Sequence, residues 1–193
     1  MSHEAGATAR AVVDLALGRP PTLGRGRLVC VDGPAGSGKT TLARRVAGLL
    51  PDARLLHVDD LLEGWRGLPG LAGSIDALLR PLARDETGRW RRWDWYADGW
   101  GDWQEVTPGG LLVLDGVGSG SPAYADLTTV LVWVEAPDDV RLERWRVRDG
   151  EAMLPHQERW LRDEAAQHDG DRTRERADLL VDADGRLLSR PGG

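Results

Sequence analysis

The stretch Gly33-Pro34-Ala35-Gly36-Ser37-Gly38-Lys39-Thr40 decides the fold, because it is a complete G-x-x-x-x-G-K-[ST] phosphate-binding loop. The apolar run that precedes it, 27–32, is typical of a buried parallel strand. In the segment that follows it, 41–50, the leucines and the valine are spaced as one face of a helix. Strand, glycine loop and helix in this order are the context that the motif requires.

The loop motif predicts how a nucleotide would be bound. Glycines let successive backbone N–H groups point at one anion, and the N-terminus of the new helix adds its positive end. Lys39 is predicted to reach the β- and γ-phosphates, and the Thr40 hydroxyl to bind Mg²⁺. Lys39 is also the only lysine in the chain, at a position where a compact ammonium fits and a planar guanidinium would not. The predicted nucleotide-binding residues are Gly33, Ala35, Gly36, Ser37, Gly38, Lys39, Thr40 and Thr41.

Length, charge and cysteine content exclude several classes of protein. A chain of 193 residues suits one domain, 1–193, with a full core. The net charge of −6 argues against nucleic acid as the main partner. A single cysteine excludes an internal disulfide and fits a reducing cytoplasm. We expect no signal peptide and no membrane span, and the four histidines show no metal-ligand spacing and are interpreted as incidental.

Alternating strand and helix patterns predict an α/β fold with three layers around a five-stranded parallel sheet. A helix over 5–17 is expected before the first strand, and the end of the chain, 187–193, is expected to fray. The strands are predicted at 27–32, 54–58, 111–116, 130–134 and 178–181.

The segment 61–107 is predicted to be a substrate-binding insertion. It is rich in Gly and Trp and is expected to be irregular apart from one helix at 74–83, capped by Ser74. Its tryptophans between 90 and 103 either stack a planar substrate or form the core of the insertion, and the sequence does not decide between the two. The substrate-contact candidates are Asp60, Trp65, Arg92, Trp93 and Asp94.

Carboxylates stand where two predicted strands end. Ligands of open parallel sheets bind beyond the carboxyl ends of the strands. Asp115 ends a strand and is predicted to hold Mg²⁺, the alternative being that it only caps the following loop. Asp59 and Asp60 follow another strand, and one of them is predicted to take a proton from an acceptor hydroxyl unless both merely cap a helix.

A basic helix at 138–148 is predicted to belong to a lid that spans 138–175. Its arginines, Arg144 and Arg148 above all, are suited to neutralising charge on a transferring phosphoryl group. The alternative is a solvated helix whose arginines pair with Glu143, Asp149 and Glu151. The arginines in question are Arg141, Arg144, Arg146 and Arg148.

With these residues in view, the chain resembles the uridine kinase-like branch of the P-loop kinases. In that family the second strand ends in an Asp that acts as the base, and Asp59 matches it, although leucines replace the family's aromatic pair. Asp115-Gly116 stands where the family has Glu-Gly. The family's lid pattern of three arginines and an aspartate matches Arg141, Arg144, Arg148 and Asp149. Two further likenesses are Ala177-Asp178 before a last strand and Arg92-Trp93-Asp94-Trp95 in the insertion.

The resemblance implies an ATP- and Mg²⁺-dependent kinase that phosphorylates a hydroxyl of a nucleoside or a similar metabolite. Asp59 would then be the base, and Lys39, Arg144 and Arg148 would stabilise the transfer. One alternative is a nucleoside monophosphate kinase, with the acceptor phosphate held by Arg80, Arg84, Arg89, Arg91 and Arg92. Another is a nucleotide-binding regulatory module, although the guanine-specificity motif Asn-Lys-x-Asp cannot occur in a chain without Asn. The expected partners are ATP and a small acceptor, not nucleic acid or a membrane; a homodimer is left open.

Overall fold

Strands and helices alternate along the chain in the computed structural model, which describes residues 3–150 and 154–189. The helices are α1 His3–Gly18, α2 Lys39–Ala47, α3 Leu71–Ala83, α4 Asp138–Asp149, α5 Leu154–Asp171 and α6 Thr173–Arg176. The strands are β1 Arg27–Asp32, β2 Arg54–His57, β3 Gly88–Asp94, β4 Gly99–Val106, β5 Leu111–Asp115, β6 Val130–Val134, β7 Leu179–Val181 and β8 Leu187–Leu188.

The central sheet has the strand order β2-β5-β1-β6-β7-β8. The first five strands in this order are parallel, as predicted, and β8 adds a short antiparallel edge. Strand β8 lies in the segment that was predicted to fray; residues 190–193 of that segment lie outside the described residues. In the register of the sheet, Asp115 is paired with Val31 on one side and with His57 on the other. The ends of β1, β2 and β5 therefore meet at one edge.

Two apolar cores cover the two faces of this sheet. Alternate residues of β1 point to opposite faces, as the period of a strand requires. Val29 and Val31 belong to the core beneath α1 and α2. Leu28 and Cys30 belong to the core that is covered by α3 and by Trp145 and Trp160 of the two following helices. This arrangement gives the three predicted layers.

The insertion is more regular than predicted. Strands β3 and β4 form an antiparallel hairpin over 88–106, which corrects the expectation of irregular structure there. The register shifts between Arg91 and Trp93, so the hairpin lacks an unbroken two-residue alternation of buried and exposed side chains. Helix α3 begins at Leu71, and Gly70 rather than Ser74 occupies its N-cap. None of the helices in the described ranges is both long and apolar enough to cross a membrane.

Candidate active site

A cavity of about 810 Å³ opens at the edge where β1, β2 and β5 end. The phosphate-binding loop forms its floor, the segment after β2 and the hairpin tip form one wall, and α4 and α5 form another. The residues that line it include Ala35, Gly36, Gly38, Lys39, Thr40, Thr41, Arg44, His57, Asp59, Leu62, Trp65, Trp95, Tyr96, Asp115, Val117, Arg144, Trp145, Arg148, Asp149 and Trp160.

The glycines of the loop are required by its backbone path. Gly33, Gly36 and Gly38 have φ angles of 145°, 79° and 103°, a region that L side chains rarely adopt. A Cβ atom on Gly36 would lie 2.0 Å from the carbonyl oxygen of Arg141, and one on Gly33 would lie 2.1 Å from that of Val134. Close packing against α4 and β6 therefore demands glycine at these two positions.

The side chain of Lys39 is buried inside the loop and is held there by a hydrogen bond. Its side chain is 7% exposed, and its Nζ donates a hydrogen bond of 3.1 Å to the carbonyl oxygen of Pro34. Thr40 and Thr41 open onto the cavity. Ser37 is buried, and its Oγ has no hydrogen-bond partner among the described residues. Lys39, Thr40 and Thr41 therefore line one cavity, and their contacts with a nucleotide stay a prediction.

Asp32 supports the loop from below. This buried carboxylate accepts hydrogen bonds from the backbone N–H groups of Gly33, Gly118 and Gly120, at 2.7, 3.0 and 2.8 Å. It also lies 3.2 Å from Nε2 of His168 on α5. Asp32 therefore ties the start of the loop to the segment after β5 and to α5.

Asp115 is buried at the end of β5 and is 2% exposed. Its Oδ2 lies 2.7 Å from Nδ1 of His57, and this hydrogen bond raises the pKa of His57 although burial opposes it. Its Oδ1 is buried without a hydrogen-bond partner among the described residues. Asp115 and Thr40 line the same cavity, and a carboxylate oxygen without a partner beside it fits Mg²⁺, which is bound in such sites through one or two protein oxygens, waters and substrate phosphates. The described residues contain no cluster of three or more His, Cys, Asp or Glu that could hold a metal without a substrate.

The two neighbouring acids after β2 face different surroundings. They lie in a 3-10 turn, Val58–Leu61. Asp59 lines the cavity, whereas Oδ1 of Asp60 accepts a hydrogen bond of 3.1 Å from Nε of Arg92 on β3. Of the two, only Asp59 is therefore presented to a ligand in the cavity.

The cleft raises the pKa of Asp59 above its ordinary value. The main cause is desolvation by the cavity walls around the carboxylate, although Asp59 itself is exposed to the open cavity. The positive charge of Lys39 opposes this rise, whereas the negative charge of Asp115 adds to it. A carboxylate with a raised pKa is a stronger proton acceptor, which suits a general base.

Two arginines of α4 face the cavity and two do not. Arg144 and Arg148 line it, and a Cβ atom on Gly38 would lie 3.8 Å from Nη1 of Arg144. Arg148 donates two hydrogen bonds to Asp149, which raise its pKa. Arg146 instead forms an ion pair with Glu143. Arg141 forms ion pairs with Asp138 and Glu164. The predicted alternative pairs with Glu143 and Asp149 are therefore present, while Arg144 and Arg148 also line the cavity; Glu151 lies outside the described residues.

Aromatic side chains form part of the wall of the cavity. The ring of Trp65 makes edge contacts with Trp95 and Trp160, at centroid distances of 5.3 and 5.9 Å. It also stacks on His156 at 5.1 Å. Nε1 of Trp95 donates a hydrogen bond of 3.3 Å to the backbone carbonyl of Asp59, so the hairpin tip is fixed beside that residue.

Three candidate substrate residues of the hairpin lie elsewhere. Trp93 is buried next to the turn of the hairpin, against Trp100, which is the core role left open by the sequence. Asp94 accepts hydrogen bonds from the backbone N–H groups of Tyr96 and Ala97 and so shapes the turn. These hydrogen bonds lower the pKa of Asp94. With Asp60 and its partner Arg92, these residues are not among those that line the cavity.

Sequence reasoning missed several polar residues of this region. Interpreting all four histidines as incidental was wrong for His57 and His168, each of which contacts a buried carboxylate. Glu164 on α5 was also missed, although its Oε2 accepts a hydrogen bond of 2.7 Å from the backbone N–H of Ala35 in the loop. The only local signal was the position of His57 two residues before Asp59, at the end of a predicted strand.

Comparison with known proteins agrees with this architecture. A family model described as an AAA domain matches residues 29–168. No curated protein sequence matches the chain. Among solved structures, the chain is similar to a possible uridine kinase from Bacillus stearothermophilus, with a TM-score of 0.63, 17% identity, and coverage of 91% of this chain and 98% of that one.

Two further solved structures are similar. The first is a provisional fructose transport system kinase from Silicibacter sp. TM1040, with a TM-score of 0.59, 20% identity, and coverage of 91% of this chain and 96% of that one. The second is a D-glycerate 3-kinase from Cryptococcus neoformans, with a TM-score of 0.58, 14% identity, and coverage of 98% and 99%. At these identities the likeness shows the fold, which is that of P-loop kinases.

Proposed function

The chain belongs to the AAA domain family, and we propose that it is an ATP- and Mg²⁺-dependent kinase that phosphorylates a hydroxyl group of a small molecule. One observation carries the proposal. A phosphate-binding loop with its lysine, the carboxylate of Asp59 with its raised pKa, and two arginines all line one cavity. A binding module needs the loop alone, whereas phosphoryl transfer needs all of these groups.

Each group has a role in the proposed reaction. The acceptor oxygen bonds to the γ-phosphorus, the bond from that phosphorus to the bridging oxygen breaks, and ADP leaves. Asp59 takes the proton of the acceptor hydroxyl. Lys39, Arg144 and Arg148 stabilise the negative charge that spreads over the transferring group.

Thr40 and Asp115 are the residues proposed to hold Mg²⁺, Asp115 directly or through a water. When bound, the ion supplies charge neutralisation for the phosphates of ATP. The contribution of the chain is orientation, since the hydrogen bond to His57 fixes one oxygen of Asp115 and leaves the other free.

For the acceptor we propose a nucleoside or a nucleoside-like metabolite without a phosphate group. Trp65, Trp95 and Trp160 offer ring faces and edges to a planar group near Asp59.

The alternative of a nucleoside monophosphate kinase receives less support. The five arginines that would hold an acceptor phosphate are engaged at the surface, and the residues lining the cavity do not include them. Their partners are Asp76 and Asp126 for Arg80, Glu86 for Arg84, Glu105 for Arg89, backbone carbonyls for Arg91, and Asp60 for Arg92.

A panel of acceptors tests the proposal. ADP release from MgATP is measured with nucleosides, their monophosphates, sugars and hydroxy acids, for the wild type and for Lys39→Ala. We expect release that depends on a nucleoside-like acceptor and is lost in Lys39→Ala. If the wild type binds ATP but no acceptor stimulates release, the regulatory module is the better account. Faster release with monophosphates than with nucleosides would reverse the order of the two kinase assignments.

A further inference from the structure

We infer that Glu164 is a positioning residue that holds the phosphate-binding loop, the lid helix α4 and the aromatic wall in register. The inference rests on the proposed function, because it assigns a task within that same site. Glu164 lies on α5 and is 3% exposed, so its carboxylate is removed from water. Burying a carboxylate is costly unless it is paired and hydrogen-bonded, so the partners of Glu164 indicate why it is there.

The first partner is the loop itself. Oε2 of Glu164 accepts a hydrogen bond of 2.7 Å from the backbone N–H of Ala35, next to Gly36. A short hydrogen bond from an amide to a carboxylate is strong and directional. It fixes the orientation of the peptide unit before Ala35, at the point where the loop turns through the positive φ of Gly36.

The second partner is Arg141, near the N-terminus of the lid helix α4. Oε1 of Glu164 lies 3.1 Å from Nη1 of Arg141, whose side chain is 13% exposed. The carbonyl oxygen of Arg141 is also the atom that a Cβ on Gly36 would approach to 2.0 Å. The ion pair and the close packing against Gly36 thus join α4 and the loop at the same place. Three residues further along α4, Arg144 reaches into the cavity.

The third partner belongs to the aromatic wall. Nε1 of Trp160, one helical turn before Glu164, lies 3.3 Å from Oε2 of Glu164. Trp160 lines the cavity and contacts Trp65. One carboxylate therefore contacts the loop expected to bind phosphate, the helix that carries the arginines and the wall expected to contact the acceptor.

These contacts predict an effect on nucleotide affinity. Without the carboxylate, the amide of Ala35 loses its acceptor and the half-buried Arg141 loses one of its two carboxylate partners. The nucleotide then has to order the loop when it binds, and the free energy used for this ordering lowers the affinity for the nucleotide. We expect Glu164→Ala to raise the Kd of a non-hydrolysable MgATP analogue about tenfold, the effect of one hydrogen bond to a charged group. Glu164→Gln, which keeps one oxygen acceptor, should restore much of this loss and remain about threefold weaker than wild type.

The experiment is isothermal titration calorimetry with that analogue, at a temperature well below the measured Tm of every variant. Glu158→Ala is the matched control, because Glu158 is an exposed acid on the same helix, and its affinity should be unchanged. Arg141→Gln, alone and with Glu164→Gln, completes a double-mutant cycle. The joint loss of affinity should be smaller than the product of the two single losses.

The outcomes separate the inference from the proposed function. If wild type does not bind the analogue, the proposed function fails. If wild type binds and Glu164→Ala, although folded, binds within twofold of it, the inference is overturned. Should Glu164→Ala not fold, Glu164→Gln decides in the same way, and an affinity equal to wild type would overturn the inference. A fall in Tm without a change in Kd would show that Glu164 only stabilises the fold.

Discussion

Asp59→Asn is the substitution that tests the proposed chemistry most sharply. The amide has nearly the shape of the carboxylate but cannot take the proton of an acceptor hydroxyl. Positioned general bases contribute about 10²–10⁴-fold to a rate. This corresponds to about 3–5 kcal/mol of activation free energy. We therefore expect kcat to fall by about 10²–10⁴-fold, whereas the affinity for MgATP holds or rises, because a negative charge beside the phosphates is removed.

Asp60→Asn provides the matched control on the adjacent residue. Asp60 pairs with the exposed Arg92 and does not line the cavity. An ion pair of this kind contributes about 1 kcal/mol at most. Asp60→Asn should therefore keep kcat within about threefold of wild type.

The raised pKa of Asp59 gives the same test a pH dependence. The base must be ionised, so kcat should fall as pH drops through this raised pKa, at a higher pH than for an ordinary aspartate. The stability of the fold depends on pH in the opposite direction to kcat. Because the folded state binds the proton more tightly than the unfolded state, ionised Asp59 destabilises the fold as pH rises through that pKa. Asp59→Asn should consequently have a higher Tm than wild type at neutral pH.

The assay is acceptor-dependent ADP release over a range of pH, with calorimetry for ATP affinity and thermal unfolding for Tm. A kcat for Asp59→Asn within fivefold of wild type would refute the assignment of Asp59 as the base. Equal losses in Asp59→Asn and Asp60→Asn would refute the structural distinction between the two acids.

Three further predictions concern the loop, helix α4 and Asp115, the acid proposed to bind Mg²⁺. Gly36→Ala should abolish nucleotide binding in calorimetry, because the new Cβ atom has no room. Gly6→Ala is the control at an open helical position, and it should add about 0.5–1 kcal/mol to the free energy of unfolding. Arg144→Ala should lower kcat about 10²–10³-fold. Arg146→Ala, which changes an arginine on the far side of the same helix, should leave kcat unchanged. Equal losses of kcat in the two variants would contradict the proposed role of Arg144. His57→Ala should raise the Kd of Mn²⁺ for the protein–ADP complex at least tenfold in a titration followed by electron paramagnetic resonance, and an unchanged Kd would contradict its orienting role.

The parts predicted from sequence are those encoded locally. The strand, loop and helix around Gly36 follow from adjacent residues, and the topology then brings the carboxylate of Asp115 to the same edge of the sheet. Neither inference depends on which contacts a side chain makes with residues far away in the sequence. For this reason the parallel sheet and the cavity around the loop could be predicted.

The parts missed depend on contacts between residues far apart in sequence. His57 meets Asp115 across 58 positions, and Glu164 meets Ala35 across 129, so no spacing within the chain indicates either contact. The residues alone left Asp59 and Asp60 open, and only the family resemblance favoured Asp59; the contact of Asp60 with Arg92 lies in a hairpin whose register shift obscures its alternation. Local patterns predict where a residue lies along an element but not which distant partner its side chain will meet.

Transfer of an isotopically labelled γ-phosphoryl group from ATP tests the central claim most directly. The wild type is incubated with labelled MgATP and the best acceptor, beside Asp59→Asn and Lys39→Ala. Our account predicts the label on a hydroxyl of the acceptor for wild type and almost none for either variant. Label recovered only as inorganic phosphate, or transfer undiminished in both variants, would contradict it.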